Sequence, residues 1–133
     1  MATAKYIEGI GRRKTASARV RITPAKSHSI LVNDKSLEEY FGTDVHQKDV
    51  LSVLDTEDLG IESYSISAHV HGGGLSSQAE SIRLGIARAL VKEKEDRRGA
   101  LKAAGYLKRD PRAVERKKFG LKKARKRGAW SKR

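Results

Sequence analysis

The sequence predicts a two-layer α/β domain, in the order strand–strand–strand–helix–strand–helix, followed by a cationic extension. Three observations predict it. Residues 16–23 and 64–71 alternate apolar and polar side chains with a period of two. Residues 75–91 carry a wide apolar stripe at steps of three and four. The charge is unevenly spread: residues 1–98 hold 15 Lys and Arg against 14 Asp and Glu, whereas residues 99–133 hold 14 against 2. A near-neutral body therefore carries almost all of its excess charge of +13 at one end.

The elements follow in order. Tyr6–Gly11 is expected as a short strand ending in glycines. Thr15–Thr23 follows, with Ala16, Ala18, Val20 and Ile22 on its buried face and Pro24 as its stop. Ser29–Val32 forms a third strand, and Asn33-Asp34 turns the chain. Ser36 stands three residues before Glu39, the spacing of a capping box, and opens a short helix through Tyr40-Phe41 that Gly42 ends. Val45, Val50, Val53 and Leu54 suit a second helical segment, and Asp55–Gly60 an acidic loop. Tyr64, Ile66, Ala68 and Val70 alternate with Ser65, Ser67, His69 and His71 in the clearest strand of the chain. Gly72-Gly73-Gly74 breaks it. Ser76 or Ser77 is expected to cap the long helix that follows. Arg97–Ala104 forms one more helix, closed by Gly105. The body is thus expected to span residues 1–105 and the basic tail residues 106–133. In the tail 10 of the 19 residues from Glu115 to Arg133 are Lys or Arg, and too few apolar groups remain to offset the entropy of ordering the chain.

Composition narrows the function. With no Cys, disulfides, thiolate zinc sites and cysteine nucleophiles are excluded. No apolar run approaches the roughly 18–20 residues of a membrane span, and Met1–Lys5 is too short for a signal or transit peptide, so the expected compartment is the cytosol. A pI of about 10.2 with clustered cations points to a polyanionic partner.

Three segments could carry chemistry. In Gly9-Ile10-Gly11-Arg12-Arg13-Lys14, two glycines would let backbone N–H groups approach a ligand and three cations follow, a pairing that suits phosphate. A hairpin turn with solvated charges explains the same residues. Neither a P-loop nor a dinucleotide fingerprint fits the spacing. His71-Gly72-Gly73-Gly74 leads into a helix, where free N–H groups and the helix dipole favour an anion. A plain strand-to-helix connection is the alternative, and the missing Gly-x-Ser-x-Gly elbow removes a hydrolase. In the tail, Arg116-Lys117-Lys118, Lys122-Lys123 and Arg125-Lys126-Arg127 are separated by Phe119-Gly120-Leu121 and Ala124, with Trp130 near the end. Cations interleaved with aromatic anchors suit a segment threading along nucleic acid; a merely solvated tail is the alternative. His69 and His71 share a strand face but find no third His or carboxylate cluster, so they read as structural or RNA-facing rather than as metal ligands. No carboxylates are paired for acid–base work.

In register along the chain, several motifs together resemble the family of small-subunit ribosomal protein nine in its bacterial form. They are Gly9-x-Gly11-Arg12-Arg13-Lys14-x-Ala16-x-Ala18-Arg19-Val20, Leu37-Glu38-x-Tyr40-Phe41, and Gly72–Gly74 with Gln78-Ala79 and Ile82-Arg83. Arg109-Asp110, Glu115-Arg116-Lys117-Lys118 and Ser131-Lys132-Arg133 complete the set. The resemblance implies a two-layer α/β sandwich with a mostly antiparallel sheet and helices on one face. That fold is like domain two of small-subunit ribosomal protein five, with a left-handed crossover. It also implies an extended basic C-terminal tail. Carried over residue by residue, it assigns rRNA contacts to Arg12, Arg13, Lys14, Gly73, Gly74, Arg83, Arg116, Lys117 and Lys118. Contact with peptidyl-site tRNA falls to Lys132 and Arg133. The implied partners are small-subunit rRNA, that tRNA and neighbouring proteins of the subunit head, with no membrane, small-molecule substrate, cofactor, metal or catalytic residue. Ser77 and Glu80 depart from the family, standing where glycines are common; Glu80 is placed to pair with Arg83 one turn on. Gly128-Ala129-Trp130 replaces a proline-containing stretch, which loosens the approach to the tRNA while keeping an aromatic anchor. The competing classes are an enzyme with a phosphate-binding glycine loop and a free nucleic-acid chaperone.

Overall fold

The structure, a computed structural model, describes residues 5–55, 63–113 and 115–127. Its elements run β1 (Ile7–Arg13), β2 (Ala16–Pro24), β3 (Ser29–Val32), β4 (Lys35–Ser36), α1 (Leu37–Tyr40), α2 (Asp44–Leu51), β5 (Tyr64–His71), α3 (Leu75–Glu93) and α4 (Arg98–Ala104), with a 3-10 turn at Glu95–Arg97. The strands form one mixed sheet in the order β1-β2-β5-β3-β4. Three neighbouring pairs are antiparallel; β3 and β5 run parallel.

The two-residue alternation places Ala16, Ala18, Val20 and Ile22 of β2 opposite Val70, Ala68 and Ile66 of β5 on one face. Helix α3 lies across that face and buries Ala79, Ile82, Ile86, Ala89 and Leu90 against it. Helix α2 packs on α3 from the side, contributing Val50; Val53, just beyond it, is also buried. Val45, at the start of α2, stays exposed. The opposite face of the sheet has no helix on it among the described residues.

Local signals set several boundaries. The side chain of Ser36 accepts a hydrogen bond from the Glu39 amide at 3.2 Å and caps α1. Asn33 and Asp34 take left-handed backbone angles (φ 50° and 67°) and close the β3–β4 hairpin. Gly105, at φ 84°, caps α4 and its amide donates to the Leu101 and Lys102 carbonyls.

Other boundaries differ from the sequence reading. Strand β1 runs through both glycines to Arg13. Helix α1 is capped at Phe41, one residue before Gly42. Gly74, with an extended backbone, is the N-cap of α3 and no side chain caps it, so Ser76 and Ser77 lie inside the helix. The two-residue strand β4 carries no periodic pattern and escapes sequence reading. The chain also stays on the body past Gly105, because Tyr106 and Leu107 pack against the core.

Candidate nucleic-acid interface

One end of the molecule gathers most of the body residues with an expected RNA role. The β1–β2 hairpin turns through Lys14 and Thr15, and Lys14 adopts φ 53°. Beside it sits the glycine loop. A Cβ on Gly72 (φ 79°) would lie 2.5 Å from the Thr15 carbonyl oxygen, so the loop and the hairpin tip touch through backbone. The Gly72 carbonyl accepts from the Gln78 side chain at 3.1 Å, and Tyr40 donates to Gln78 at 2.6 Å. Gly73 is also left-handed, whereas Gly74 has open space around it and begins α3. The start of α3 therefore follows directly on a loop that packs against Thr15 and Ala16, and the free amides of a helix start favour an anion.

Arg83, on α3, and the root of the tail complete this end. The Arg83 guanidinium lies 5.5 Å from the ring centre of Tyr106, a cation–π contact. Arg109 donates to the Lys14 carbonyl at 3.5 Å. Arg12, Arg83, Lys108 and Asp110 line a common small cleft.

Arg13 stands apart from Arg12 and Lys14. Its side chain is only 10% exposed. Its Nε donates to Glu80 at 2.5 Å, a second nitrogen lies 3.5 Å from Asp110, and a third contact is donated to the Arg112 carbonyl. Strand alternation turns it inward with Gly9 and Gly11, and burying a guanidinium requires carboxylate partners. The three-cation run is thus two exposed cations and one structural one. Glu80 pairs with Arg13, not with Arg83 as its spacing suggested. Asp110 is gripped by Arg112, whose guanidinium donates at 2.7 and 3.0 Å, and this holds its carboxyl well below the usual carboxylate range.

Gly9 and Gly11 answer to packing rather than to a ligand. A Cβ on Gly11 would lie 1.7 Å from the Ser81 carbonyl oxygen, and one on Gly9 2.2 Å from that of Gly85. Gly85 in turn faces Val20. Glycines on both elements let α3 press directly on β1, which corrects the expectation that they bring backbone up to phosphate.

Arg116, Lys117 and Lys118 lie in the tail, beyond this cluster. Glu115 pairs with Lys118 and, at 2.9 Å, with Arg125. A lone bridge between Leu121 and Arg127 closes a basic loop, with Gly120 at φ 79° and Phe119 fully exposed. Lys132, Arg133 and Trp130 lie outside the described residues.

Sequence reading missed a buried cation. Arg97 is 2% exposed, donates to the Tyr64 hydroxyl at 2.9 Å and pairs with Glu93 at 3.4 Å. Burial pushes the Tyr64 phenol above its ordinary value. Nothing in a solvated-looking Glu-Asp-Arg-Arg run signals this. Among the described residues no group of three or more His, Asp or Glu could hold a metal ion, and no helix is long and apolar enough to cross a membrane.

A family model described as ribosomal protein S9/S16 matches residues 11–133. The chain belongs to the ribosomal protein S9 family. It is 54% identical over 127 residues to the small ribosomal subunit protein uS9 of Mycobacterium avium (strain 104), covering 96% of this chain and 75% of that protein. The identity to uS9 of Mycobacterium tuberculosis (strain ATCC 25618 / H37Rv) is also 54%, over 96% of this chain and 83% of the relative. The S9 family is a structural, non-enzymatic component of the ribosome, so the enzyme alternative falls. The match begins at Gly11, so it takes in the hairpin, the glycine loop, Arg83 and the whole basic extension.

Proposed function

We propose that this chain is a structural constituent of the small ribosomal subunit in the cytoplasm, that its body binds the rRNA of the subunit head among neighbouring proteins, and that its tail contacts peptidyl-site tRNA. The observation that carries this reading is the convergence of Arg12, Lys14, the Gly73-Gly74 loop, Arg83 and the tail root at one end of the body, with the chain's excess charge leaving from that end. Arg12, Lys14 and Arg83 neutralise rRNA phosphates, and the amides at Gly73 and Gly74 add donors that read no sequence. Arg13 acts through position, fixing where Asp110 and Arg112 sit.

Beyond Arg112 the basic segment docks on RNA, with Arg116, Lys117 and Lys118 on rRNA phosphates. Lys132 and Arg133 reach the tRNA; their assignment rests on the terminal Ser-Lys-Arg that resembles the family's. The body shares the fold of domain two of small-subunit ribosomal protein five. The parallel β3–β5 pair, joined through α1 and α2, is where the left-handed crossover would lie.

Sedimentation tests the reading. The chain co-migrates with small subunits at moderate salt and leaves them only at high salt. Deleting Ser131–Arg133 preserves folding and subunit assembly but weakens peptidyl-site tRNA binding. Recovery of the intact chain mainly in the free pool would instead favour a nucleic-acid chaperone outside the particle.

A further inference from the structure

The face of the sheet opposite α3 is a second cationic surface. Cross-strand register lays its side chains out in rows. Arg12, Ser17 and His71 form one row, and Ile10, Arg19 and His69 the next. Glu8, Arg21, Ser67 and Leu31 form a third, and Thr23, Ser65 and Ser29 a fourth. Arg12, Arg19, His69 and His71 are exposed, and the first two rows border a trough of about 390 Å3. None of the described helices covers it.

The chemistry of these rows favours a ribose-phosphate strand. Among the described residues, three guanidiniums and two imidazoles of these rows share one carboxylate, Glu8, which lies 3.7 Å from Arg19 and 3.3 Å from Arg21. Arg12 and both imidazoles have no carboxylate facing them from the neighbouring strands. Five hydroxyls, from Ser17, Ser29, Ser65, Ser67 and Thr23, stand among them. Guanidiniums suit phosphate oxygens, hydroxyls suit ribose 2′-OH groups, and imidazole rings both donate hydrogen bonds and stack on bases. The Arg21 guanidinium also lies 4.4 Å from the centre of the Tyr6 ring, a cation–π contact. An acidic protein segment would satisfy the guanidiniums but leave the hydroxyl row with little to do.

We propose that this open sheet face, centred on Arg19, His69 and His71 and joined to the hairpin–tail end through Arg12, is a further RNA-binding surface, taking one strand through its phosphates and ribose hydroxyls. The proposal rests on the reading that the chain binds rRNA. It extends that contact from one end of the body across a whole face, so the protein is gripped from two sides.

The test uses the full chain and a transcript of small-subunit rRNA. The double variant Arg19→Ala/His69→Ala keeps its circular dichroism and unfolding temperature, since both side chains are exposed. It binds the transcript about tenfold more weakly, with a salt slope flatter by about one counterion for the lost guanidinium. Ring-proton resonances of His69 and His71 shift when RNA is added, while those of His46, on α2, stay still. Wild-type affinity and slope in the variant, with unmoved His69 and His71 resonances, overturn the proposal. So does protection of this face that arises only when other ribosomal proteins are added, which assigns it to a protein neighbour. Failure of the unaltered chain to bind the transcript at all would remove the broader rRNA reading instead. The two failures are thereby distinct.

Discussion

The guanidinium of Arg13 closes on the carboxylate of Glu80 at 2.5 Å, joining the last residue of β1 to the second turn of α3. The same guanidinium reaches Asp110 and the Arg112 carbonyl. One side chain thus ties the sheet, the helix and the start of the basic extension together. A cation in a run of three is ordinarily read as phosphate-binding; burial and three partners make this one a tie.

That division is measurable. Arg12→Ala flattens the salt dependence of rRNA binding by about one counterion. Arg13→Ala leaves the slope nearly unchanged but costs about 1–3 kcal/mol of stability, because Glu80 and Asp110 lose a part-buried partner. Binding titrations across a salt series, paired with urea unfolding, check both. A slope that falls equally for the two variants would restore Arg13 as a phosphate contact.

Gly11→Ala tests the close approach of α3 to β1. The new methyl would meet backbone of Ser81, which cannot rotate aside. A loss of about 2–3 kcal/mol is expected, seen as a lower urea midpoint at constant slope. Gly42→Ala, where nothing lies within 4 Å, should be nearly silent in the same assay. Equal effects at the two positions would contradict the packing argument.

The Asp110 carboxyl titrates below the ordinary carboxylate value of about 3.9, chiefly because Arg112 hydrogen-bonds to it, with Arg13 adding attraction. A depressed folded value means the tie at the tail root contributes in full above the unfolded value. It is lost only as pH falls through the folded one. Carbon-detected NMR of the carboxyl should therefore show it ionised throughout the range from neutral pH down to about 4. Arg112→Ala should raise its midpoint. A midpoint at the usual value in the unaltered protein would show the contact to be absent in solution.

Tyr64→Phe removes the hydroxyl that accepts from Arg97 and should destabilise the body by about 1–3 kcal/mol with no change in RNA affinity. Thermal unfolding beside a binding titration separates the two effects. An altered affinity at equal stability would mean that this buried cluster reaches the RNA surface.

Phe119→Ala tests the exposed ring in the basic loop. Stacking on an unpaired base predicts weaker rRNA binding, about fivefold or more, with an unchanged salt slope and recovery in Phe119→Tyr. Recovery in Phe119→Leu as well would point to simple apolar packing.

Much of this was legible locally. The alternation at 16–23 and 64–71, the stripe at 75–91, the Ser36 cap, the Asn33-Asp34 turn and the Gly105 stop each depend on neighbours within a few residues, so the linear order displays them. The charge asymmetry is likewise a property of the chain alone. What the tertiary structure decided are relations between residues far apart: Gly11 beneath Ser81, Arg13 against Glu80 and Asp110, Arg97 under Tyr64, and His69 level with Arg19 on an uncovered face. Those depend on which strand pairs with which and on where α3 lies. Pairing and docking are settled by burial summed over the whole core rather than by any local preference, which is why a one-dimensional reading recognised the cations but could not say which of them face solvent.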